Sequence, residues 1–191
     1  MKVTSLSIPD VLLIEPRVFE DARGFFFESF NLNEFKKATS SDITFVQDNH
    51  SKSTKGVLRG LHYQIAPHAQ GKLVRVIQGE VFDVAVDLRK SSATFGRYVS
   101  QILSAENKKQ MWIPEGFAHG FLTLSDTSEF LYKTTNTYSA KDERCIIWND
   151  DFLKIGWPKN FNFVIALKDC LGKRLHEAET LYLVFPNFIL T

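Results

Sequence analysis

The segment from Val57 to Arg89 constrains the fold more than any other stretch, because it sets charged side chains into runs that otherwise read as buried β-strands. In Val81 to Leu88, alternation puts Phe82, Val84, Val86 and Leu88 on one face and Val81, Asp83, Ala85 and Asp87 on the other. Asp83 is then a carboxylate on a sheet face, and Arg59, His62, Lys72 and Arg89 join it along the same segment. Isolated buried charges are costly to keep ionised, so such groups pair, shift their pKa or serve a site. Gly79 and Glu80 separate LVRVIQ from VFDVAV, and glycine at the first central position suits a two-residue type II′ turn. The expectation is a hairpin carrying an ionisable cluster, preceded by a loop with a histidine.

A chain of 191 residues can bury a sizeable core, and all-β barrels reach this length undivided, so one domain over 1–191 is expected. Lys and Arg number 23 against 22 Asp and Glu, which leaves no basic field to drive nucleic-acid affinity, and no nucleic-acid partner is expected. Cys145 and Cys170 lack CxxC spacing and read as reduced thiols rather than a disulfide scaffold. The start, MKVTSLSIPDVLLIEP, lacks the apolar core of a signal peptide, and no apolar run approaches the roughly 18 residues of a membrane span. These features predict a soluble, cytoplasmic protein with no membrane partner.

The order of elements begins with a strand over Val11 to Phe19, whose Pro16 favours an edge or bulge. Asp21 to Gly24 reads as a turn and Phe25 to Phe30 as a second strand, with Phe25 and Phe27 on one face and Phe26 and Glu28 on the other. One of those sets needs a second core, a ligand or a partner chain. Asn31 reads as an N-cap and Glu34 as its capping-box partner, opening a short helix that ends near Thr39. From Ile43 onward come strands separated by turns, at Pro114-Glu115-Gly116 and at Asp126-Thr127-Ser128 among others, with no helical segment long enough to cross between parallel strands. In EFLYKTT, Phe130, Tyr132 and Thr134 share a face. The fold expected is mainly β, an antiparallel double-sheet jelly roll with a few short helices. The apolar tail LYLVFPNFIL is expected to bury itself against the body or a second subunit.

These features resemble the cupin barrel, whose metal-binding members carry His-x-His, a glutamate and then a histidine in a PxGxxH-like motif. Pro114 to His119 matches the second motif, but the first reads His62-Tyr63-Gln64, and Lys72 stands where the glutamate belongs. Protonated lysine cannot ligate a metal and repels one, so no metal is expected; His50 and His68 read as solvated loop residues. A base, a cation and an acid converging on a metal-free barrel are what abstraction of a proton next to a carbonyl requires. Histidine fits the base, lysine the oxyanion stabiliser and tyrosine the acid.

The strings DARGFFFES, QDNHS, GVLRGLHYQ, QGKLVRVIQGEVFDVAVDLR, SSATFGRY, PEGFAHGF, YKTTNTY, DERCIIWND and ALKDCLGK, in this order, resemble the dTDP-4-dehydrorhamnose 3,5-epimerase family from about Val11 to Glu179. The tail 180–191 lies outside the match. The resemblance implies cofactor-free epimerisation at C3 and C5 of dTDP-4-dehydro-6-deoxy-D-glucose, as a homodimer. It implies His62 as base, Asp169 as its carboxylate partner, Lys72 beside the enolate oxygen, Tyr132 as proton donor and Asp83 as a carboxylate near the catalytic lysine or histidine. Arg59 and Arg23 would hold the diphosphate, helped by Gln47 and Asn49. His119 would lie near the sugar, Tyr138 on thymine, and Glu28, Glu143 and Lys168 along the nucleotide. The DARGFFFES segment, with Phe26, would cross to the neighbouring subunit's site. Cys145 departs from the family pattern, which commonly has a small residue such as glycine there.

On residue pattern alone other readings stay open. His62 fits a hydrogen-bonded core histidine, Tyr132 a core aromatic, and Arg23 and Arg59 plain ion pairs with Asp21 or Asp83. Rival functions are a single-position epimerase or ketoisomerase on a related dTDP-4-keto sugar, a metal-dependent cupin oxygenase, and a non-catalytic sugar-nucleotide binding module.

Overall fold

The computed structural model describes residues 1–40 and 42–180. In chain order the elements are β1 Lys2–Ser5, β2 Leu12–Glu15, β3 Phe19–Asp21, β4 Gly24–Phe26, α1 Leu32–Thr39, β5 Gln47–Thr54, β6 Val57–Gln64, β7 Lys72–Gln78, β8 Glu80–Asp87, β9 Tyr98–Ser104, β10 Gln110–Ile113, β11 Phe117–Thr123, β12 Thr127–Thr134, β13 Glu143–Cys145, β14 Val164–Ile165 and α2 Leu167–Cys170. One sheet runs β1-β2-β10-β7-β12-β5 and faces a second that runs β13-β6-β11-β8-β9. Between these strands pairing is antiparallel except where β14 lies parallel to β6. This is the expected jelly roll.

Three apolar layers explain the sequence pattern. Between the sheets, Val74, Val76 and Phe130 of the first pack against Val81, Ala85 and Phe121 of the second. On the outer face of the second sheet, Val84, Val86, Leu88 and Leu122 pack under Ile146, Leu153, Trp157 and Leu175. That sheet is therefore buried on both faces, which is why VFDVAVDL reads as an almost continuous apolar run. On the outer face of the first sheet, α1 lays Phe35 against Leu73 and Trp112. Asn31 caps α1 by accepting from the N–H groups of Asn33 and Glu34, while the Glu34 carboxylate pairs with Lys37 instead of closing a capping box.

The hairpin expected at Gly79 is not formed. Its flanking strands sit in opposite sheets, β7 between β10 and β12 and β8 between β11 and β9. Gly79 has φ of +73°, as a tight turn demands, but the turn is a corner that carries the chain across the barrel. A side chain there would also drive into the carbonyl of Thr127, 2.0 Å from an ideal Cβ. The Val11 to Phe19 strand ends at Glu15, before Pro16, and β4 stops at Phe26 rather than Phe30. The turn expected at Asp126 to Ser128 gives way to strand from Thr127. The tail from 181 lies outside the described residues. Among the described residues, no helix is long and apolar enough to cross a membrane.

Candidate active site

A cavity of about 570 Å³ opens between the sheets, and β6, β7, β11 and β12 supply its chemistry. His62 and Tyr132 both line it, the first from β6 of one sheet and the second from β12 of the other. His62 Nε2 lies 2.7 Å from Asp169 Oδ1, across 107 residues of sequence. Asp169, 2% exposed, also accepts at Oδ2 from the N–H of Gly60 at 3.1 Å. Burial by itself would raise its pKa, but the hydrogen bond and charge of His62, the Gly60 N–H and Lys168 hold the carboxyl below its ordinary value.

Gly60 earns its place here. Its φ is +108°, and a Cβ would stand 2.6 Å from the carbonyl of His119 and 2.7 Å from the Cα of Gly120. Only a residue without a side chain lets β6 approach β11 closely enough to present His62 and the Gly60 N–H together.

Lys72 starts β7 and is 7% exposed, with Nζ donating to the carbonyl of His62 at 3.1 Å. Burial lowers its pKa to about 8, while Asp83 and Glu143 pull the other way. Asp83 does not line the cavity. It sits fully buried behind His119, whose Nε2 is 3.1 and 3.0 Å from the two carboxylate oxygens. Burial raises Asp83, against the opposing charges of His119 and Lys72. His119 and Phe121, two apart on β11, share the face that lines the cavity, with Phe130 stacked 4.3 Å from Phe121. Phe121 escaped the sequence reading, although its spacing from His119 signals it.

Tyr132 is raised above its ordinary value first by burial and then by the charge of Glu143. At the mouth, Gln47 Nε2 donates to Asn49 Oδ1 at 2.9 Å, and Gln47 Oε1 accepts from the N–H of Tyr138 at 2.9 Å. The Tyr138 hydroxyl and Lys168 both reach Glu143, at 3.1 and 3.3 Å. Arg59 lines the same rim, donating from Nε to Ser53 Oγ at 3.0 Å. Arg89, by contrast, leaves the ionisable cluster: it binds Asp87 and Asp10 and lies over the ring of Phe117. His50 and His68 pair with Glu129 and Asp142.

Arg23, Phe26 and Glu28 do not line the cavity. The first two belong to the β3–β4 arm, where Arg23 pairs with Asp21, and Phe25 and Phe26 are 60% and 67% exposed. Glu28 faces a separate cavity bounded by Pro16, Phe30 and Phe35. Among the described residues, His62, Cys145 and Asp169 bring an imidazole nitrogen, a sulfur and a carboxylate oxygen within 4.8 Å of one another. Burial raises the Cys145 thiol to about 12.

A histidine on one sheet, held by a carboxylate from α2 and facing a phenol and a buried lysine on the other sheet, defines a cupin-type enzyme equipped for proton transfer. The family model for dTDP-4-dehydrorhamnose 3,5-epimerase matches residues 5–177. The dTDP-4-dehydrorhamnose 3,5-epimerase of Pseudomonas aeruginosa is 61% identical over 179 residues, covering 94% of this chain and 98% of that protein. The crystal structure of dTDP-6-deoxy-D-glucose-3,5-epimerase from Legionella pneumophila Philadelphia 1, in complex with dTDP-4-keto-L-rhamnose, superposes with a TM-score of 0.92 at 46% identity, covering 95% of this chain and 97% of that one. ChmJ, a 3′-monoepimerase from Streptomyces bikiniensis in complex with dTDP-quinovose, gives 0.85 at 31% identity over 90% and 86% of the two chains. The chain belongs to the dTDP-4-dehydrorhamnose 3,5-epimerase family.

Proposed function

We propose that the chain epimerises dTDP-4-dehydro-6-deoxy-D-glucose at C3 and C5 to dTDP-4-dehydro-L-rhamnose, without a cofactor. The observation that carries this reading is the placement of His62 and Tyr132 on opposite sheets across one cavity. Inverting a carbon needs a proton taken from one face and another delivered to the opposite face, and the two sheets supply one group each. The His62 ring nitrogen not bonded to Asp169 takes the proton next to the C4 ketone, and the electron pair moves onto the ketone oxygen. Asp169, held ionised, stabilises the imidazolium. Lys72 places its charge by the enolate oxygen. Tyr132, kept protonated by burial, returns a proton from the far side. His119, backed by Asp83, borders the sugar.

Arg59, Gln47 and Asn49 fit the diphosphate, arginine through its planar fork, and Tyr138, Glu143 and Lys168 fit the nucleotide. The exposed phenylalanines of the β3–β4 arm support a homodimer in which Arg23, Phe26 and Glu28 complete the partner's site. Unbridged Cys145 and Cys170 support a cytoplasmic location.

NMR of deuterium uptake from D₂O into dTDP-4-dehydro-6-deoxy-D-glucose tests this, with wild type and His62→Ala side by side. Exchange at C3 and C5 that drops by about 10²-fold or more in the variant is expected. Exchange at one carbon alone would assign the chain to monoepimerases like ChmJ, and no exchange from folded wild type would sink the epimerase reading for this sugar.

A further inference from the structure

We propose that His62, Cys145 and Asp169 form an inhibitory binding site for a thiophilic divalent cation, with Zn²⁺ the best match. Cys145 of β13 is the direct cross-strand partner of His62 on β6, so both side chains leave the sheet on the same face. Asp169 joins them from α2, which gathers imidazole, thiol and carboxylate donors within 4.8 Å. That donor set suits zinc and is foreign to Mg²⁺ or Ca²⁺, which take oxygen ligands. Tetrahedral zinc with bonds of about 2.0–2.3 Å holds its donors roughly 3.3–3.6 Å apart. The cysteine therefore closes in by at most about 1.2 Å, and the His62–Asp169 pair opens by about 0.6 Å from its 2.7 Å contact. A thiolate and a carboxylate together neutralise the ion, which offsets the nearby cations Lys72 and Lys168. Binding releases the thiol proton to solvent.

The lysine that stands in place of the usual cupin glutamate makes the barrel centre hostile to metal, so this site lies to one side of it, at the rim strand β13. An ion held there occupies the histidine and the carboxylate that form the proton-transfer pair. Loss of activity rests on His62 being the base, as proposed above; cation binding does not.

The full-length protein, reduced and stripped with EDTA, would be titrated with Co²⁺ and read by absorbance, and separately with Zn²⁺ while deuterium exchange into the sugar nucleotide is followed. The expected results are a near-ultraviolet thiolate-to-cobalt band, and micromolar Zn²⁺ inhibition that EDTA reverses and that millimolar Mg²⁺ does not reproduce. In Cys145→Ser and Cys145→Gly the band should vanish and the inhibition should weaken about tenfold or more, with metal-free exchange retained as proof of folding. Absence of the band in wild type, or equal inhibition in the cysteine variants, would overturn the site. A band without inhibition would overturn its inhibitory role. If the enzyme exchanges no protons at all, the cobalt band still decides the site, so the two readings fail separately.

Discussion

Lys72 is nearly out of water, and burial brings its pKa to about 8. The protonated form is the one that can face an enolate, so turnover should fall as pH rises through that value. Lys72→Met should lower kcat by about 10²–10³-fold and remove that alkaline limb, which a pH–rate profile of both proteins would show. Tyr132 allows a sharper separation. Tyr132→Phe should keep solvent exchange from the His62 face while formation of the inverted sugar drops by about 10²-fold, read by NMR of exchange and product together. The charged residues of the Val57 to Arg89 segment were visible in the sequence because they interrupt strand alternation. Their sorting was not. Arg59, His62 and Lys72 reach the cavity whereas Arg89 serves Asp87, and the Asp169 that orients His62 lies 107 residues away. No periodicity encodes such a meeting; only the resemblance pointed to it.

Strands were legible wherever one face differed from the other, as in Val81 to Leu88, whose two faces enter two different apolar layers. The corner at Gly79 was misread because a glycine with positive φ serves a hairpin and an inter-sheet crossing alike. What separates them is the partner on each side, a property of the whole barrel. Strand β1 was missed: Lys2–Ser5 alternates too weakly, and it is held by pairing with β2. At α1 the local signal sufficed, since Asn31 satisfies two N–H groups that otherwise lack partners. Asn31→Ala should cost about 1 kcal/mol and lower Tm by about 2–4 °C, measured calorimetrically. Deuterium exchange should stay at the wild-type rate, because α1 covers the outer face of its sheet through Phe35, away from the cavity.

At the scale of the molecule, the β3–β4 arm carries Phe25 and Phe26 into solvent and Arg23 away from the cavity of its own chain. Were the arm to complete a neighbour's site, His62→Ala and Arg23→Ala would damage the same site from two chains. Each variant alone should be nearly inactive, and subunits remixed in equal amounts should recover about a quarter of wild-type turnover, since random pairing restores one site in four in a two-fold dimer. Parallel light scattering would show whether the recovered activity travels with a dimer. The Gly79 corner has a consequence of another kind. From β5 to β8 the chain changes sheet at every strand, and β9 to β13 repeat the pattern, so neither sheet can be laid down from one continuous stretch of polypeptide. Nearly every ladder must close a loop before it is rewarded, which makes for slow, all-or-none folding. The cavity is the space between two sheets that can only arise together. Denaturant curves followed by far-ultraviolet circular dichroism, tryptophan fluorescence and catalytic activity should accordingly superimpose, and a chain cut at Gly79 should yield two halves that fold only in each other's presence.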